Sequence, residues 1–162
     1  SELTALFDRY HVKLFNFFLR LTSDKAASED LTQNLFYRVI KYRHSFDPQG
    51  GTFKSWIYQM ARNVHIDHHK QEQRMPDRFK QISEHQEKPA IDSEGFGEDD
   101  FDRLNRALLE LRPDLRQIIV LSRFEGLKYE EISKMMDISV SAIKVQVHRG
   151  IKQLRNIYFS KQ

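Results

Sequence analysis

Five side chains near the end of the chain, Lys144, Val145, His148, Arg149 and Lys152, are spaced so that a helix through them would carry them on or near one face. Cations in such an array attract phosphates, because contact releases the counterions condensed on a nucleic acid. Arg149 has the forked donors that match O6 and N7 of guanine. Lys152 and Arg155 suit phosphates, and Val145 could meet a thymine methyl. The stretch after Asp137 holds Lys144, Arg149, Lys152, Arg155 and Lys161 and no acid. A second array lies nearer the start, where Lys41, Arg43, Lys54, Arg62 and Lys70 supply charge around Trp56 and Asn63. An aromatic ring among cations invites a stacking role for Trp56. Trp56 also falls in an apolar stripe, which favours a core position over stacking. Tyr42 and Tyr58 are further aromatic candidates for exposure.

Other chemistry finds little support. His65 and His69 in His65-Ile66-Asp67-His68-His69 would share a helix face, as two metal ligands do, but no Glu follows His65 and no third ligand is evident. A polar helix end facing DNA or solvent explains them as well, and no metal or other cofactor is expected. No Gly-rich phosphate loop, nucleophile elbow or pair of catalytic carboxylates occurs, so no catalytic residue is assigned. There is no cysteine, which removes disulfides and thiolate metal sites. No apolar run approaches the ~18 residues of a membrane span. A soluble, cytoplasmic, non-enzymatic protein is the expectation, with no membrane insertion.

The elements that must position these residues are helical. Leu3, Leu6, Phe7, Tyr10, Leu14, Phe17, Phe18 and Leu21 recur at three- and four-residue steps. Ser23 or Asp24 can cap a second helix with the stripe Ala27, Leu31, Leu35, Phe36, Val39 and Ile40. Asp47-Pro48-Gln49-Gly50-Gly51 breaks the chain in a loop, and Thr52 can cap a third helix. Further on, Pro113 suits a first helical position and Gly126 a stop. A short helix from Tyr129 to Met136 and a longer one from Val140 to about Phe159 are separated only by Asp137-Ile138-Ser139. Two helices on so short a turn, the second basic, form the helix-turn-helix pattern. Ile132, Met136, Ile138, Ile143 and Val147 are its expected inner side. No stretch alternates with period two, so the fold class is all-α, without a sheet.

Charge divides the same chain into three. Residues 1–75 carry net +3, 76–102 net −6 and 103–162 net +6. The acidic middle holds Pro76, Pro89, Gly95 and Gly97 and no sustained apolar stripe. Two small helical domains, 1–75 and 101–162, joined by a flexible acidic linker over 76–100, are therefore expected.

Several runs, in two blocks of the chain, extend this reading. Leu111-Arg112-Pro113-Asp114-Leu115-Arg116-Gln117-Ile118-Ile119-Val120-Leu121, then Glu125-Gly126-Leu127-Lys128-Tyr129-Glu130-Glu131-Ile132 and Ser139 to Leu154, resemble region 4 of extracytoplasmic-function (ECF) sigma factors. Ala27 to Phe36 resembles their region 2.2. Phe53 to Asn63, with Asp67, resembles regions 2.3 and 2.4. The resemblance covers nearly the whole chain apart from the linker, with both blocks in order. It implies a subunit that binds core RNA polymerase and selects promoters. Region 2.2 would dock on the clamp helices of the largest polymerase subunit through Asp30, Gln33, Asn34 and Phe36, although Phe36 could equally be core. Regions 2.3 and 2.4 would melt the −10 element and hold it through Arg43, Lys54, Trp56, Arg62 and Asn63, with the loop from Arg43 to Phe53 and Asn63 reading a base. Region 4 would read the −35 element through Lys144, Val145, His148, Arg149 and Lys152 and touch the flap of the second-largest subunit. An anti-sigma factor is a further implied partner.

The pattern is broken at Lys128, where a capping Ser or Thr is common, at Asp137, where a turn glycine is frequent, and at Val145 and Gln146, which are often polar or basic. A helix-turn-helix regulator acting without polymerase is the alternative. It accounts for 103–162 but leaves the first block unused.

Overall fold

The computed structural model describes residues 2–74 and 98–160. Every regular element among them is helical: α1 (Glu2–Thr22), α2 (Lys25–Tyr42), a 3-10 turn (Arg43–Ser45), α3 (Phe53–Arg74), α4 (Glu98–Leu109), α5 (Pro113–Ile119), a π-helical turn (Val120–Phe124), α6 (Tyr129–Met136) and α7 (Val140–Ser160). Most of the stretch read as an acidic linker lies outside the described residues. At its far end α4 begins at Glu98. Contacts separate the chain into two compact units, Ser1–Phe18 with Asp24–Pro89 and Leu19–Ser23 with Ala90–Gln162.

In the first unit, the apolar stripes of α1, α2 and α3 meet. Leu14, Phe17 and Phe18 are fully buried with Leu35, Val39, Ile57 and Ala61. Phe17 meets Tyr58 edge-on, with ring centroids 5.4 Å apart. Such tilted pairs add to burial, because the positive ring edge approaches the negative face. Tyr58 is thus core, only 1% exposed, whereas Tyr42 is 47% exposed. Asp24, not Ser23, caps α2: its carboxylate accepts the Ala27 N–H at 3.1 Å. Ser23 takes the left-handed conformation that turns the chain between the helices. Arg38 donates to Asp67 at 3.1 Å and so pins α2 to α3.

The second unit packs α5 against α7, α6 against α7, and α4 against both α5 and α7. Leu108, Leu115, Ile118, Ile119, Leu121, Ile132 and Ile143 form its buried centre. The expected single helix from Pro113 towards Gly126 changes pitch at Val120, where one π turn follows α5. Gly126, at φ 71°, then ends it, a conformation that glycine adopts without steric cost. The Leu127 N–H returns to the Leu121 carbonyl at 3.0 Å, which satisfies one of the orphan carbonyls at a helix end.

The N-terminus of α6 is half capped. The Glu131 carboxylate accepts the Lys128 N–H at 3.1 Å, but a lysine ammonium has no lone pair to offer in return. Lys128→Ser completes the reciprocal pair. It should raise stability by about 0.5–1 kcal/mol, seen as a higher midpoint in thermal unfolding followed by circular dichroism. An unchanged or lower midpoint would show that the helix start is already satisfied.

Candidate nucleic-acid interface

The turn between α6 and α7 is closed from several sides. Asp137 adopts the left-handed conformation, φ 56° and ψ 45°, where asparagine, aspartate and glycine are the usual occupants. The Ile138 N–H reaches the Ser133 carbonyl at 3.3 Å, and the Ser133 hydroxyl donates to the Ile138 carbonyl. Ser139 caps α7 by accepting the Ala142 N–H at 3.1 Å. Ile132, Ile143 and Val147 are buried as expected, but Met135 rather than Met136 is the buried methionine of α6. One residue is a 100° rotation on a helix, so the crossing of α6 over α7 decides between neighbours that the stripe alone does not separate.

With that side sealed, Lys144, Val145, His148, Arg149 and Lys152 are all exposed along one face of α7. Val145 is 48% exposed, an apolar side chain standing among cations. Behind them Gly150 is buried where α7 crosses α5. A Cβ there would stand 2.7 Å from Ile119 Cδ1 and 3.1 Å from Leu115 Cδ1, so the close approach requires glycine. Sequence reading missed Gly150, because a mid-helix glycine signals nothing until its neighbour is known.

Two arginines brace this unit. Arg103 donates to the Tyr158 carbonyl in the last turn of α7, and its guanidinium lies 4.3 Å from the Tyr158 ring centre. Arg116 donates to the carbonyls of Leu108, Leu109 and Leu111, each at 2.9 Å, and so binds acceptors at and just past the end of α4. Burial lowers its pKa from the usual arginine value.

The first unit carries the other residues. Asp30, Gln33 and Asn34 share the exposed face of α2, whereas Phe36 is turned inward. Phe36 is 9% exposed, with its ring 5.0 Å from Phe7. The aromatic side chain on the exposed face is Tyr37, 65% exposed. It was missed because Phe36 and Tyr37 are adjacent, and only the rotation of α2 against α1 decides which one faces out.

Arg43 and Asn63 are exposed, and Lys54, Trp56 and Arg62 are half-buried. Burial lowers the Arg62 pKa as well, though a guanidinium this far from neutrality remains a cation. Trp56 lies between core and solvent, with its ring 5.7 Å from Phe46 and 5.5 Å from Phe53. Between those phenylalanines the loop is a built turn. Asp47 accepts the Gln49 N–H at 3.0 Å, the Gly50 N–H reaches the Asp47 carbonyl at 3.0 Å, and the Thr52 hydroxyl accepts the Ser55 N–H at 3.0 Å. The histidines gather no metal set: among the described residues no three His, Cys, Asp or Glu side chains are placed to hold an ion. His65 is buried and stacks over His69. No helix among the described residues is long and apolar enough to cross a membrane.

The sigma-70 region 2 family matches residues 6–75, and the sigma-70 region 4 family matches residues 101–154. An ECF RNA polymerase sigma factor of Bacillus subtilis, SigX, is 30% identical over 161 residues, spanning 93% of this chain and 80% of the relative. The RNA polymerase sigma factor CarQ of Myxococcus xanthus is 33% identical over 156 residues, spanning 94% of this chain and 86% of the relative. In fold the chain is similar to the sigma factor RpoE of Bartonella quintana, solved with the anti-sigma factor NepR. The TM-score is 0.76 at 24% identity, over 99% of both chains. It is also similar to CnrH, solved with the cytosolic domain of CnrY, with a TM-score of 0.72 at 18% identity, over 99% of this chain and 89% of that one.

Two helical units matching regions 2 and 4, the second with an exposed basic recognition helix, define the sigma-70 class of initiation factors. The chain belongs to the ECF RNA polymerase sigma factors of that class. It directs RNA polymerase to promoters and is not itself an enzyme. The stand-alone regulator is set aside, since it leaves the match over residues 6–75 without a purpose.

Proposed function

We propose that the two units divide promoter recognition between them. The first unit docks on the clamp helices of the largest polymerase subunit through Asp30, Gln33 and Asn34. It holds the −10 element as a single strand with Arg43, Lys54, Arg62 and Asn63. The second lays α7 in the −35 major groove and touches the flap of the second-largest subunit. The observation that carries this reading is the one-sided exposure of Lys144, Val145, His148, Arg149 and Lys152 on a helix whose other side is sealed at Ile143, Val147 and Gly150. A helix fits the major groove of B-DNA, and that face brings forked donors, point charges and one apolar contact to it. Polymerase performs the chemistry, and this chain supplies placement and strand separation. An anti-sigma protein that masks these faces in the cytoplasm is a further partner; the support is that RpoE, similar in fold, is solved in complex with the anti-sigma factor NepR, and CnrH with the cytosolic domain of CnrY.

The test is to add the chain to sigma-free core polymerase and map transcription starts across a genomic library. Discrete starts sharing −10 and −35 elements are expected. Unselective starts, the same as core alone, would overturn the reading. Within it, Arg149→Ala should relax recognition at one −35 position and cost about 1–3 kcal/mol there. Affinities for a panel of −35 variants check this, and a uniform loss over all variants would reassign Arg149 to a phosphate.

A further inference from the structure

The six residues from Asp47 to Thr52 join α2 and its 3-10 turn to α3, and a phenylalanine stands at each end. Phe46 and Phe53 meet edge-on, with centroids 5.4 Å apart and planes at 87°. Trp56, one turn into α3, touches both. Tyr10 backs Phe53 from α1 at 5.7 Å. Phe46, Phe53 and Trp56 are all half-buried, so they form a ledge at the surface rather than part of the sealed core. The loop above has its own turn at Asp47 and its own cap at Thr52. Gly51, at φ 151°, has open space around it. On the same helix, seven residues from Trp56, Asn63 is exposed.

A loop that must meet an unstacked base loses less entropy if its ends are fixed before the base arrives. The hydrogen bonds shape this loop and tie its last residue, Thr52, to α3 through the Ser55 N–H, but none of them holds the loop's first end to that helix. The Phe46 ring does that, because it enters the ledge from the loop's first end while Phe53 and Trp56 belong to the rigid helix on the other side. We infer that Phe46 is a positioning residue for −10 capture: by packing against both Phe53 and Trp56 it aims the Asp47–Thr52 loop at the strand held beside Asn63. The inference rests on the −10 role proposed above for the first unit and deepens it.

The test uses the full chain in holoenzyme with core polymerase, comparing Phe46→Ala, Phe46→Tyr and Asn63→Ala. Promoter opening is followed by permanganate reactivity of unpaired thymines, on the parent promoter and on variants with each −10 base replaced. Phe46→Ala should slow opening by about ten- to a hundredfold, the range that a displacement of roughly 1 Å produces at a positioned site. It should also flatten the preference among −10 bases, while affinity for core polymerase stays within about twofold. A purely structural role would lower opening on every promoter alike and leave the base preference intact. Phe46→Tyr keeps the ring and should restore both rate and preference. Trp56 is the sole tryptophan, so its fluorescence reports the ledge directly: Phe46→Ala should increase quenching by acrylamide, and Phe46→Tyr should not. Wild-type opening and base preference in Phe46→Ala, with Asn63→Ala still impaired, overturn the positioning role alone. If Asn63→Ala also opens normally, both this inference and the −10 assignment fall. Loss of polymerase binding in step with opening would likewise overturn it.

Discussion

Gly150→Val should abolish −35-dependent promoter binding and destabilise the second unit by about 2–3 kcal/mol, the upper part of the usual cost of overpacking a core. The reason is a distance. A first added carbon at this position already meets Ile119 Cδ1 at 2.7 Å and Cγ1 at 2.8 Å, well inside van der Waals contact. Ile119 is 1% exposed and Leu115 is 1% exposed, so neither has solvent to swing into. The strain is relieved only by moving α7 away from α5, and α7 carries Lys144, Arg149 and Lys152 within two turns of this position. Replacing glycine in a helix interior returns at most about 1 kcal/mol of propensity, less for a β-branched residue, so the steric term wins. Gly150→Ala brings a Cβ to the same 2.7 Å contact and should also destabilise the unit, but less than valine, because it adds one methyl and its propensity gain of about 1 kcal/mol offsets part of the overpacking. Thermal unfolding of both variants and gel shifts on a −35 duplex check the order. Valine tolerated as well as alanine would show that α7 and α5 are not held at this spacing.

Tyr58→Ala should be the most damaging single change in the first unit, about 3–5 kcal/mol, as for other large buried aromatics. Tyr58 is 1% exposed and meets Phe17 edge-on, so its removal leaves a cavity beneath α3 and takes away a ring partner from α1. Small domains have only about 5–15 kcal/mol to lose. Asn63 lies little more than one turn further along α3, and Arg38–Asp67 holds that helix to the face bearing Asp30, Gln33 and Asn34. Both core polymerase binding and promoter opening should therefore fail together in Tyr58→Ala. Tyr58→Phe, which keeps the ring, should retain most of both. Chemical denaturation gives the stability change and co-purification with core polymerase the binding. Separation of the two losses would mean that α3 is anchored elsewhere.

Periodicity placed the helices well because each amphipathic stripe is a local property of ten to twenty residues. The bounds of α6 at Tyr129 and Met136 and the start of α7 at Val140 were legible from the three-residue turn and its Ser139 cap. So was the basic face of α7, since residues three and four apart on a helix stay together whatever surrounds it. Where the reading stopped short, the missing fact was a rotation or a neighbour. The stripe of α2 leaves Phe36 open between core and docking anchor, and the structure turns it inward beside the exposed Tyr37; the stripe of α6 points to Met136 where Met135 is buried; and Tyr58, a candidate for exposure, is core. A stripe more than 100° wide admits residues at its edges, and only the partner helix decides which edge is covered.

The sequence by itself determined an all-helical protein, a helix-turn-helix with a cationic recognition face, and two blocks with the order of sigma regions 2 and 4. These follow from side-chain type and from spacing along one element. Tertiary structure alone decided that Gly150 is where α7 can touch α5, that Arg116 closes the end of α4, and that Phe46, Phe53 and Trp56 make one ledge beneath a turn. Those depend on which residues distant in the chain come within a few ångströms, and excluded volume and ring geometry between separate helices leave no periodic trace in the order of residues.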